Sequence, residues 1–141
     1  MWRSVLGVIT GAIVWTAAFT ALAFGLAALW HGYALRGSEW FKDGVFTFTP
    51  LMGCVNLVFW VIAEILAGWV AMKISRQHKA VWVLAAVLGL YLAWQHLVVY
   101  WASIPWWYNL GVVIPSVFAV LLGGRLARGS GRGSLRLSAT A

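Results

Sequence analysis

Leu51–Ser75 reads LMGCVNLVFWVIAEILAGWVAMKIS, an almost unbroken apolar stretch with one acid, Glu64, near its middle. At a rise of about 1.5 Å per residue, a helix of this length crosses the roughly 30 Å hydrocarbon core of a bilayer. At about 100° per residue, Gly53, Leu57, Trp60, Val61, Ala67, Gly68, Ala71 and Ser75 share the Glu64 face. Small residues let helix backbones approach closely in lipid, so this face is expected to meet another helix. A charged group at mid-bilayer costs roughly 2.5 to 3.5 kcal/mol, so Glu64 is expected to face the bundle and either pair with a cation or carry its proton. Two roles follow. One is an interhelical hydrogen bond that holds helices together; the other is a proton or substrate site.

Three further stretches have the same character, which predicts an all-α, polytopic four-helix transmembrane bundle. Its spans are expected at about 4–29, 51–73, 80–102 and 107–127, in one domain covering 1–128, with 129–141 as a basic, disordered tail. Of the 141 residues 63% are hydrophobic and only 9% charged, far too few polar residues to coat a soluble globule. The net charge of +7 does not indicate nucleic acid, because the basic residues sit at span ends and in the tail. The lone Cys54 lies inside an apolar span and allows no intramolecular disulfide.

In the first span Arg3 resembles a short basic signal region and Ala21-Leu22-Ala23 a cleavage site, but the apolar run is too long for a cleaved signal. Gly7 and Gly11 form a GxxxG pair expected to pack on a neighbour. The loop from Trp30 to Pro50 carries Arg36, Glu39, Lys42 and Asp43. Trp40-Phe41 and Phe46-Thr47-Phe48 suggest that it lies against headgroups, and a short helix or strand-like piece would have the same composition.

On the third span Ala85, Gly89, Ala93 and His96 recur on one face. Counted from the span centres, His96 is about 10 Å from Glu64 in depth, and Asn56 is nearer to it. A hydrogen bond from His96 to Asn56, to a threonine or to a backbone carbonyl is therefore expected. The fourth span carries Asn109, Val112, Ser116, Ala119, Gly123 and Ala127 on one face, with Pro115 as a possible kink. Glu64, His96, Asn56 and Ser116 are the candidate intramembrane polar or proton site, and Gly7, Gly11, Gly68, Gly89 and Gly123 the candidate packing positions.

Arg3, the group Lys73, Arg76 and Lys79, and the group Arg125, Arg128, Arg132 and Arg136 fall on one side of this topology, leaving Arg36 and Lys42 on the other. The positive-inside rule then puts both termini in the cytoplasm, with the tail near anionic lipid headgroups. Trp2, Trp30, Trp40, Trp101, Trp106 and Trp107 fall near the interfaces, as an aromatic belt requires. Ile65–Ala71 and Leu121–Ala127 resemble one another, suggesting two hairpins of like orientation packed through their small-residue ends.

From Asn56 to Ala127 the chain resembles a group of uncharacterised small bacterial four-span inner-membrane proteins. LAGWVAMKIS, RQHK, IPWWY and LLGGRLA carry the likeness, which covers about half the chain. The resemblance implies the fold, the inner membrane and the orientation, and brings no activity. Glu64 in span two and His96 in span three depart from the pattern.

No metal-ligand spacing, phosphate-cradling glycine loop, nucleophile motif or cofactor signature is present, so an enzyme is not expected. Two classes remain in front. One is a structural or partner-binding subunit, packed on another membrane protein or on a second copy. The other is a small proton-coupled transporter using Glu64 and His96. A haem subunit through His31 and His96 is strained, since their depths differ by about 10 Å.

Overall fold

The computed structural model describes residues 2–37, 41–42 and 45–137, with side chains over 2–36 and 46–129. Glu39, Trp40, Asp43 and Gly44 lie outside the described residues, so what the sequence predicts for them stands apart from the structure. Helix α1 is Trp2–Leu29, and the short α2 is His31–Gly37. Phe41–Lys42 (β1) pairs antiparallel with Val45–Phe46 (β2). Helix α3 is Pro50–Ser75, α4 is His78–Trp94 continued by a π-helical turn at Gln95–Val99, and α5 is Trp106–Leu137. Four of these helices are long and apolar enough to cross a membrane, and the fold is the all-α four-helix bundle of a multi-pass membrane protein.

Local chemistry sets the ends of α3. Thr49 caps its N-terminus, its Oγ1 accepting from the Met52 N–H at 3.4 Å, and Pro50 occupies the first turn, where its missing N–H costs nothing. At the other end Arg76 takes the left-handed conformation, φ 54°, and its N–H bonds back to the Met72 carbonyl. The chain then turns at once into α4.

Helix α3 is the hub, with its broadest contacts to α1 and α5. Gly53 faces Trp107, Gly111 faces Leu57, and Gly68 faces Val120, so α3 and α5 run parallel. At their crossing a Cβ on Gly68 would strike the Val120 carbonyl, and one on Gly123 the Ile65 carbonyl, so the two backbones touch. Gly7 meets Ala71 and Ser75, Gly11 meets Ala67 and Leu84, and Gly89 meets Val117. Every candidate packing glycine is thus turned to a neighbour inside the chain.

These approaches cluster toward one end. Ser4 bonds Gln77 at 2.6 Å there, and Val81 packs on Gly124. Arg3, Lys73, Arg76, Lys79, Arg125 and Arg128 all belong to this basic end; α2 and the hairpin close the other, the loop end. Helix α1 buries only Gly7 and Gly11, both in its basic half, while Gly25 in its loop half has nothing within 4 Å. Its basic half is held by these glycine contacts, and in its loop half Leu26 and Ala27 pack on Tyr33, Phe48 and Met52.

Two expectations change. Phe46 and Phe48 do not form a headgroup layer: Phe48 is buried and stacks on Tyr33 at 5.3 Å, and Phe46 meets Tyr108 at 5.1 Å. An aromatic next to an unfilled bundle end gains more by filling it than by lying at the interface. The segment beyond 128, expected to be disordered, continues α5 as far as Leu137. Extending an existing helix avoids the nucleation that a free tail would require.

Candidate functional site

At the loop end a cavity of about 640 Å³ lies between α1, α2, α3, α4 and α5. Trp15 and Phe19 hold the gap open, their rings 5.4 Å and 4.3 Å from that of Trp60 on α3. Small side chains, Ala23, Ala27 and Ala34, leave the space unfilled above them. Tyr33, Phe48, Tyr100 and Tyr108 close the loop end. Among the described residues no Asp, Glu, Lys or Arg lines it. Phe24 and Tyr91, 73% and 45% exposed, stand on α1 and α4 at its margin, where the bundle would meet lipid tails.

The polar groups of the wall are ordered by one another. The Asn56 amide donates to the Tyr33 hydroxyl at 3.0 Å, the Trp60 indole to the Tyr108 hydroxyl at 3.3 Å, and the Gln95 amide to the Tyr91 hydroxyl at 3.1 Å. Burial pushes the Tyr33 hydroxyl above its ordinary pKa, with the Asn56 bond acting against that shift, so it stays protonated at neutral pH.

His96 lies within 2.9 Å of the Asn109 side-chain oxygen, and the Asn109 amide nitrogen donates to the Ile104 carbonyl at 3.0 Å. That second bond fixes the amide, so His96 Nδ1 carries the hydrogen and donates to the Asn109 oxygen. Asn109, not Asn56, is the partner of His96. Depth alone cannot separate them, but Asn56 is already engaged by Tyr33. Three buried polar atoms of the wall have no hydrogen-bond partner among the described residues: Trp15 Nε1, Asn56 Oδ1 and Gln95 Oε1.

Glu64 is elsewhere. It is fully buried one turn beyond Trp60 toward the basic end, it does not line the cavity, and neither carboxyl oxygen has a hydrogen-bond partner among the described residues. The interhelical hydrogen bond predicted for a structural role is not among those formed. Interpolated between the glycine contacts, His96 stands about 12 Å nearer the loop end than Glu64. Ser116 is also fully buried, its hydroxyl donating to the Val113 carbonyl at 2.9 Å in its own helix. The structure therefore unites His96 and Asn56 in one wall and leaves Glu64 and Ser116 outside it.

Sequence reasoning missed Trp15, Trp60, Tyr91, Gln95, Tyr108 and Asn109. The signal was the two tryptophans and one tyrosine set well inside spans, away from the aromatic belts. The π-helical turn had no legible signature; it places Gln95 and His96 together in the wall. His31 is exposed, and no group of three His, Cys, Asp or Glu converges among the described residues. A smaller cavity of about 320 Å³ at the basic end is lined by His78, Val81, Trp82, Leu121, Gly124 and Arg125. Comparison with protein-family models, curated proteins and solved structures finds no match.

Proposed function

We propose that this chain is a non-enzymatic multi-pass protein of the bacterial cytoplasmic membrane that binds a lipid-soluble small molecule in its loop-end cavity. The volume lies within the 300 to 1,000 Å³ of small-molecule sites, and an aromatic wall with a few placed polar groups is their usual lining. The observation that carries the proposal is a cavity of small-molecule size, walled by aromatic rings, with the exposed Phe24 and Tyr91 at its margin.

Lys and Arg bias supports cytoplasmic termini, and with them an outward-facing cavity. Arg125 and His78 at the smaller cavity, with the basic tail, suit anionic lipid headgroups on the cytoplasmic face. Docking on another membrane protein or a second copy through glycine faces has less support, because those glycines meet neighbours within the chain. Proton-coupled transport through Glu64 and His96 has less support too, because only His96 reaches the cavity.

The test uses the full chain in nanodiscs, titrated with the neutral dye N-phenyl-1-naphthylamine and read by energy transfer from tryptophan. Saturable transfer is expected, and Ala23→Phe, which fills the cavity, should abolish it without lowering the melting temperature. Linear, unsaturable transfer in both proteins would refute the proposal.

A further inference from the structure

Past Glu64 the sequence contains no Asp or Glu, yet it holds Lys73, Arg76, Lys79, Arg125, Arg128, Arg132 and Arg136. Glu64 itself is buried within the bundle, and Glu39 and Asp43 precede α3 in the chain. The basic end therefore carries positive charge that the acidic side chains after α3 begins cannot neutralise from the surface. At a bilayer the counter-charge at hand is lipid phosphate.

One place at this end offers a seat as well as a charge. The cavity of about 320 Å³ between α4 and α5 has an apolar floor of Val81, Leu121 and Gly124, flanked by His78, Trp82 and Arg125. Gly124 draws the two helices together, since a Cβ there would meet Val81 at 2.8 Å, and Val81 is buried beneath. His78, Trp82 and Arg125 are exposed, so the groove opens outward from the bundle. The contacts Gly124 to Val81 and Gly89 to Val117 make α4 and α5 antiparallel and fix the order of levels. His78 and Arg125 lie outermost, and Trp82 and Leu121 each lie one turn deeper toward the middle of the bilayer. Donors outside and apolar groups within are the order of a phospholipid, whose phosphate sits at headgroup level and whose chains run inward. Arg is suited to the first part, because its guanidinium fork matches phosphate oxygens, and an exposed Trp to the second, at the boundary between the two.

Two other occupants fit less well. A soluble anion would meet Arg125 and His78 but leave Trp82 and Leu121 unused. A zwitterionic lipid brings the same phosphate together with a cationic group, which would stand among Arg76, Lys79, Arg125 and Arg128 and be repelled.

We propose that this groove seats one phospholipid of net negative headgroup charge, its phosphate held by Arg125 and His78 and an acyl chain running past Trp82 and Leu121. The proposal rests on the headgroup contact named above and deepens it from diffuse attraction to a single seated molecule. It is independent of what the loop-end cavity binds.

The experiment is native mass spectrometry of the full chain in mild detergent, titrated with phosphatidylglycerol, with phosphatidylcholine of the same chains, and with glycerol phosphate as the free headgroup. The first phosphatidylglycerol should bind about fivefold more tightly than phosphatidylcholine, the worth of one basic side chain at an anionic surface. Arg125→Gln should remove that preference, whereas Arg3→Gln, which loses the same charge on α1 outside the groove, should keep it. His78→Gln should reduce it severalfold and decides the matter if Arg125→Gln fails to fold. Equal affinity for the two lipids would overturn both the seat and the headgroup contact. Equal loss in Arg125→Gln and Arg3→Gln would overturn the seat and leave diffuse attraction. Glycerol phosphate binding as tightly as phosphatidylglycerol would overturn the lipid as occupant.

Discussion

Asn56 and Glu64 sit about two turns apart on the same helix, both buried, both with an oxygen that has no hydrogen-bond partner among the described residues, yet in opposite surroundings. Around Glu64 the neighbours are Gly68, Ala67 and the Gly123 crossing, where α3 and α5 touch backbone to backbone and leave no room. Around Asn56 they are Tyr33, Trp60 and Tyr108, and the cavity lies beside these rings. Residue size, more than polarity, decides whether a buried polar group in a bundle becomes a packing position or a binding wall. Glycine at Gly7 and Gly11, followed by Trp15 and Phe19, repeats that contrast within α1.

The sharpest way to break the comparison is at the crossing itself. Gly68→Leu would drive a side chain into the Val120 backbone, which cannot yield as a flexible side chain could. Loss of the folded bundle is expected, at upward of about 3 kcal/mol, measured as failure to survive mild detergent extraction. A bundle that tolerated it would mean the two halves are not differently packed.

In the aromatic half, His96→Leu removes the donor to a fully buried Asn109 oxygen and should cost about 1 to 3 kcal/mol in thermal unfolding. In the dry half the sign reverses. Glu64→Met replaces an unpartnered carboxyl with an apolar group of similar size and should raise stability by about 1 to 2 kcal/mol. A fall in stability would show that Glu64 holds the helices together after all. The smallest effect is expected from Tyr33→Phe, which removes the acceptor of the Asn56 amide and should cost about 1 kcal/mol.

The sequence made the helices legible because hydropathy and length alone define a span, and the five glycines were legible because lipid leaves small residues as the means of close approach. Half of the cavity was not. His96 and Asn56 stand out as polar residues in apolar stretches, whereas Trp15, Trp60 and Tyr108 look like ordinary aromatic content until the fold brings them into one cavity wall. Their partners were also illegible: Asn109 and Asn56 lie at similar depth, and only the three-dimensional course of α2, bringing Tyr33 over Asn56, separates them. The phenylalanines of the loop were misjudged for the same reason, since whether an aromatic seeks the interface or the bundle depends on space that composition does not report.

A lipidic-phase crystal of the full chain soaked with 4-bromophenol would test most directly whether one half is open and the other dry. Anomalous bromine density is expected in the loop-end cavity, beside Trp60 and Tyr91, with none beside Glu64. Bromine at the Gly68 and Gly123 crossing, or a cavity that stays without density at saturating ligand, would contradict it.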